Sequence, residues 1–116
     1  MAYEGLPPDL KRAVFERDRW RCRWCGRTNA TAYDCHHIRY RRSSEDDVIE
    51  NLITLCRDHH NFVHDSGKIP KQEAQELLFE LIHRPGVTGI ALRRARNARI
   101  GRNVAPGEGE EVGLSL

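Results

Sequence analysis

The sequence predicts a small α+β domain stapled by a metal ion, and three observations carry that prediction. The segments order as helix, tight turn, strand, loop, strand, helix, with two more helices behind them. Two short ligand pairs, Cys22-x-x-Cys25 and Cys56-x-x-His59, stand thirty residues apart. The third observation is a thin core: 116 residues with 31% charged and only 7% aromatic side chains form a chain that usually needs a disulfide or a metal to hold it. At 39% apolar residues with 9 glycines it is still a globular composition.

Taking the elements in order, Pro7-Pro8 opens a segment from Asp9 to Arg17 whose Leu10, Ala13 and Val14 fall at helical spacing. Trp20 to Gly26 reads as a tight turn carrying the first cysteine pair, with Gly26 available for a positive φ. Ala32 to Ile38 alternates like a strand, which puts Tyr33, Cys35 and His37 on one face and Asp34, His36 and Ile38 on the other. Tyr40 to Glu50 is polar and aperiodic, a loop. Leu52 to Leu55 is a second strand, and Asp58 to about Asp65 a helix with His60 and His64 one turn apart on one face.

Beyond Ser66-Gly67, Pro70 to Arg84 carries Ala74, Leu77, Leu78, Leu81 and Ile82 at helical spacing, and Pro85-Gly86 ends it. Thr88 is placed to cap a last basic helix through Ile100, and the glycine- and glutamate-rich tail after Ala105 has little to bury. The expected division is a helical lead-in over residues 1–19, a core over 20–66, C-terminal helices with a basic segment over 67–104, and a flexible tail over 105–116.

No apolar run exceeds three residues, so neither a transmembrane helix nor a secretory segment is expected and a cytoplasmic location follows. The four cysteines then read as thiols or metal ligands rather than as a disulfide framework. Cys22, Cys25, Cys56 and His59 would close a tetrahedral shell of the kind structural zinc prefers. Cys35 is left over as a small strand filler, and His83 as a structural side chain. His36, His37, His60 and His64 are not explained by the zinc. They gather in two short segments flanking Asn51, and three of them could face one point.

These residues spell a larger pattern: Arg17-Asp18-x-Trp20-x-Cys22-x-x-Cys25-Gly26, then His36-His37-Ile38, then Asn51-Leu52-x-x-Leu55-Cys56-x-x-His59-His60, with His64 following. Over about residues 8 to 66 this resembles the HNH endonuclease family, in its zinc-knuckle subgroup. The resemblance implies a ββα-metal (His-Me finger) fold that holds one catalytic divalent ion over a scissile phosphate. It implies His37 as the general base, Asn51 as the residue that helps hold that histidine, and His60 as a metal ligand. His36 stands where many members have aspartate as a ligand, and His64 resembles an extra histidine ligand used by nuclease toxins.

Two departures from the family pattern change the chemistry. His59 replaces the commonest cysteine, giving a zinc shell of three sulfurs and one nitrogen. Histidine at position 36 makes the catalytic site nitrogen-rich, so Mn²⁺, Ni²⁺ or Zn²⁺ become plausible beside Mg²⁺. One ion rather than two is expected, because a carboxylate cluster is missing near these histidines.

Charge fits a polyanionic partner. The net +2 hides a +5 block over residues 1–44, −6 over 45–83, +6 over 84–105 and −3 in the tail, and 16 of 19 basic residues are arginine, whose two-pronged fork suits phosphate. Arg39, Arg41 and Arg42 in the loop and Arg93, Arg94, Arg96 and Arg99 in the last helix are the candidate contacts to double-stranded DNA. The expected activity is hydrolysis of DNA phosphodiester bonds, as nicks or double-strand breaks. The alternative is a zinc-stapled DNA-binding or protein-docking module without catalysis. Small free-standing members of the family are often phage-encoded, and some assist a DNA-packaging terminase, which makes that a possible partner. Metal identity, sequence preference, cleavage pattern, monomer or dimer, and host stay open.

Overall fold

The computed structural model describes residues 5–28 and 32–102, with residues 100–102 described for the backbone alone. Helix α1 (Pro8–Arg17) leads, with proline in its first turn where the missing N–H costs nothing. Strands β1 (Tyr33–His37) and β2 (Leu52–Cys56) pair antiparallel in the register Tyr33↔Cys56 to His37↔Leu52. Helices α2 (Arg57–His64), α3 (Lys71–Ile82) and α4 (Gly89–Arg102) follow. The boundaries coincide with those read in the sequence or differ by at most two residues. The expected tail beyond residue 104 lies outside the described residues.

β2 is buried at all five positions because both faces of this two-stranded sheet are covered. Val14 and Phe15 of α1 bury beside the sheet on one side. On the other, Ile53 and Leu55 join Val63 of α2, Ala74, Leu77, Leu78 and Leu81 of α3 and Leu92 of α4 in one continuous apolar cluster. A strand buried on both faces loses the alternation that would mark it in sequence, and Leu52 to Cys56 is such a strand.

The knuckle turn is fastened to this core by backbone and by ions. Arg23 N donates to Thr54 O at 3.0 Å, Gly26 N to Cys22 O at 2.7 Å, and Cys22 N to Arg27 O at 3.0 Å. Gly26 has φ +81°, as the turn requires. Asp18, 2% exposed, accepts from Arg17 Nε at 2.9 Å, Arg23 Nη1 at 3.2 Å and Thr54 N at 2.9 Å. Arg23 continues outward, donating through Nη2 to the carbonyls of Leu81, Arg84 and Val87 at 2.9–3.2 Å. Those carbonyls lie at and just beyond the C-terminus of α3, where such groups lack helical partners. The dipeptide Arg17-Asp18 and Arg23 therefore tie α1, β2 and α3 around the knuckle.

The loop between the strands is not featureless. A single 3₁₀ turn at Ser44–Asp46 is capped by Ser43, whose Oγ accepts from Glu45 N at 3.2 Å, and by Asp46, which accepts from Arg42 N at 2.6 Å. A second 3₁₀ turn, Ile49–Asn51, delivers the chain into β2. Thr88 caps α4 as expected, its Oγ1 accepting from Ala91 N at 3.1 Å. Gly89 opens that helix against the face of Trp24, where a Cβ would overlap the indole. No described helix is long and apolar enough to cross a membrane.

Candidate metal centres and the histidine cleft

Two groups of metal-ligating side chains come together among the described residues, and they are separate sites. In the first, the ligand atoms of Cys22, Cys25, Cys56 and His59 all lie within 4.8 Å of one another. The turn at Cys22-Cys25 supplies one pair. The end of β2 and the first turn of α2 supply the other, with Cys56 Sγ 3.3 Å from His59 Nδ1. Burial pushes the Cys22 thiol up to about 12 and holds the His59 ring below its ordinary value. Three sulfurs and a neutral imidazole suit a soft, thiolate-binding cation such as zinc, which would reverse the cost of ionising those thiols. Cys35 stays outside both groups; burial raises its thiol to about 11.

In the second group, His36 from β1 and His60 and His64 from α2 converge. Ring centroids are 5.1 Å apart for His36–His60, 4.9 Å for His36–His64 and 4.8 Å for His60–His64. The Nε2 atoms of His60 and His64 approach to 3.1 Å. Helical spacing of four residues stacks the latter two, and strand alternation turns His36 toward them. Burial, then the neighbouring His60 and His64, press His36 down to about 3; His64 is lowered by burial as well. Three imidazoles whose nitrogens gather within 4.8 Å of one another could serve as a ligand set for a divalent ion.

Asp34 stands behind this group, and the reading of the sequence passed over it. Its Oδ2 lies 2.8 Å from His60 Nδ1 while Arg57 grips both carboxylate oxygens at 2.8 and 3.1 Å. Burial works against its charge, but the Arg57 and His60 hydrogen bonds outweigh that and hold the carboxyl below the usual range. A carboxylate on Nδ1 fixes the proton there and leaves Nε2 as the ligand atom. Its signal was present in the sequence: Asp34 shares the strand face of His36, two residues away.

His37 turns to the opposite face, as its adjacency to His36 requires. Its Nε2 lies 2.7 Å from Asp47 Oδ1, and Arg41 Nε donates to both Asp47 oxygens at 2.9 and 3.1 Å. That fork, then the His37 contact, keeps Asp47 below the ordinary carboxylate value, so it is ionised at neutral pH. An ionised carboxylate only accepts, so His37 Nε2 is the donor in this bond. Nothing in the loop's composition marks Asp47 among its acidic neighbours. Asn51, 1% exposed, holds backbone: its Oδ1 accepts from Arg39 N at 2.8 Å, and its Nδ2 donates to Arg39 O and Asp46 O at 3.2 and 3.1 Å. It clamps Arg39 to Asp46, the residue just before Asp47.

His36, His37 and His64 line one cleft of about 250 Å³, with Tyr40, Ser66, Lys71 and Gln75 on its other walls. The expected DNA contacts divide. Arg42 is exposed, Arg41 braces Asp47, and Arg39 lies 5.6 Å from the Phe79 ring centre. Arg94 and Arg99 are exposed. Arg93 pairs with Glu73 at 2.8 Å and Arg96 with Glu76 and Glu80 at 3.3 and 3.6 Å, so part of the basic block neutralises the acidic α3 beside it.

Set beside known families, residues 22–66 match the family model described as HNH endonuclease. No curated protein and no solved structure matches the chain.

Proposed function

With an HNH endonuclease segment spanning residues 22–66, we propose that the chain is a metal-dependent nuclease that hydrolyses phosphodiester bonds of duplex DNA at the histidine cleft. The observation that supports this best is what one cleft collects: His36 and His64 of a convergent three-histidine ligand set and, facing away from His36 on the next residue, a histidine held by a carboxylate. A purely structural metal site has no need of the second.

In this reading His36, His60 and His64 hold the catalytic ion, which when bound neutralises charge on the phosphate and the leaving oxygen. The nitrogen-only set favours Mn²⁺, Ni²⁺ or Zn²⁺ over Mg²⁺. His37 Nδ1 takes a proton from water as the water oxygen attacks phosphorus, the bond to the leaving oxygen breaks, and Asp47 stabilises the imidazolium that forms. Asn51 keeps Arg39 and Asp46 in register so that Asp47 meets His37. Cys22, Cys25, Cys56 and His59 hold a structural zinc that fastens the knuckle. The segment before residue 20 and the helices after residue 66 serve as supports.

Conversion of supercoiled plasmid, run with each divalent ion and with chelator, tests the reading. His37→Ala should lose about 10²–10⁴-fold in rate with DNA affinity kept, and added metal should not restore it. His60→Ala should instead show residual activity that rises with metal concentration. No conversion by the wild type with any divalent ion would leave a DNA-binding module without catalysis.

A further inference from the structure

A second cleft, of about 220 Å³, opens where the knuckle meets the turn between α3 and α4. Arg17, Arg19, Arg21 and Arg23 line it, with Asp18 the single acid. Asp18 is already spent between Arg17 and Arg23, which leaves the cleft strongly positive. Arg19 and Arg21 are exposed and form no ion pair among the described residues. The contrast with Arg93 and Arg96, both matched to glutamates of α3, is direct.

The backbone supports the same conclusion. Arg19 and Trp20 follow the end of α1 with φ +59° and +54°, a left-handed stop where glycine would be free of strain. Here the chain places an arginine and a tryptophan instead, and strain of this kind is kept where side chains are used. Trp20 rests on Phe15 with ring centroids 5.0 Å apart and is still 49% exposed. Trp20 stands between Arg19 and Arg21 in the chain, so an exposed indole accompanies two guanidinium groups that form no ion pair among the described residues and offer forks for phosphate.

We infer that the Arg19–Arg21 cleft is a phosphate-binding site that grips the DNA backbone away from the bond being cut. The identity of the polymer rests on the nuclease reading. The histidine cleft is walled by Lys71, Ala74, Gln75 and Leu78 of α3 and this one by residues 85–88 just beyond its end. The seven residue steps from Gln75 to Ile82 at the end of α3 span roughly 11 Å, the axial length of about three base pairs. The cleft would anchor a duplex a few base pairs from the reacting phosphate and so set where along the backbone the histidines act.

The experiment compares wild type, Arg19→Gln/Arg21→Gln and Arg19→Lys/Arg21→Lys on a fluorescent duplex of about 20 base pairs, with affinity measured from about 50 to 300 mM salt. The glutamine pair should lower the log–log salt slope by about 1.8, two phosphate contacts at 0.9 each, while zinc content and thermal midpoint stay at wild-type values. The lysine pair should keep the slope. An unchanged slope in the glutamine pair, with the wild type still converting plasmid, would overturn this site and leave the nuclease reading intact. A wild type that neither binds nor cuts the duplex would overturn both.

Discussion

Changing Asp47 to asparagine separates a histidine that is merely nearby from one that is armed. The carboxylate meets His37 Nε2 at 2.7 Å and is itself held by Arg41. An amide of the same shape can turn its NH₂ to that nitrogen, which would move the imidazole proton to Nδ1 and remove the lone pair that, in the proposed mechanism, takes the proton from water. It would also remove the negative charge proposed to stabilise the imidazolium. A positioned base contributes about 10²–10⁴-fold, or roughly 3–5 kcal/mol of barrier at 1.36 kcal/mol per decade. Asp47→Asn should therefore lose at least about a hundredfold in single-turnover plasmid nicking, with DNA affinity and zinc content unchanged. The sign of the pH effect is also set. Asp47 is depressed, chiefly by Arg41, so its support is complete above the ordinary carboxylate value of about 3.9 and is lost only as pH falls through its lower folded value. Asp47 itself should add no step to the neutral part of the wild-type profile. Nicking by Asp47→Asn at the wild-type rate would refute His37 as an Asp47-supported base.

Three other outcomes test the scaffold. Removing metal with a strong chelator, or replacing Cys22 with alanine, should unfold the knuckle and lower the thermal midpoint sharply, since structural zinc in short peptides is worth on the order of 10–16 kcal/mol of apparent binding energy; elemental analysis should find one tightly held zinc per chain. Asp18→Ala strands Arg23 in a buried position and should cost about 3–5 kcal/mol in denaturant unfolding, whereas a loss under 1 kcal/mol would make the Arg17–Asp18–Arg23 network dispensable. Gly89→Ala sets a methyl group into the Trp24 ring and should cost about 1–3 kcal/mol by overpacking, readable in near-ultraviolet circular dichroism as a shift in the tryptophan signal.

The candidate metal sites were legible because each depends on short spacings that local geometry converts into proximity. Cys22-x-x-Cys25 is a turn, His60 and His64 are one helical turn apart, and His36 is placed by alternation. What was not legible depends on loop path. Asp47 could be any of three acids between residues 45 and 47 until the capped 3₁₀ turn at Ser44–Asp46 aims it at His37. The pairing of Arg93 and Arg96 with α3 was hidden for the same reason: charge blocks along a chain do not say which helices lie side by side. Read as a block, residues 84–105 look like a polyanion contact; folded, two of their arginines cancel the acidic stretch that precedes them.

The proposed base His37 and the proposed ligand His36 pose a geometric problem, because alternation sends adjacent strand residues to opposite faces. The fold resolves it through the small size of the sheet. With two strands among the described residues, the outer side of β1 has no neighbouring strand among them, and His37 is its last residue. A cleft can then pass around the end of the strand and collect His36 from one face and His37 from the other. In a wider sheet, a third strand beside β1 would close that passage. The two-stranded sheet is too small to be stable alone in water, and the same 45-residue segment also gathers Cys22, Cys25, Cys56 and His59, a set that could hold a second ion. In the proposed reading the staple is tied to the chemistry: the strand edge that would let ligand and base share one phosphate also leaves a sheet small enough to gain from a bound ion.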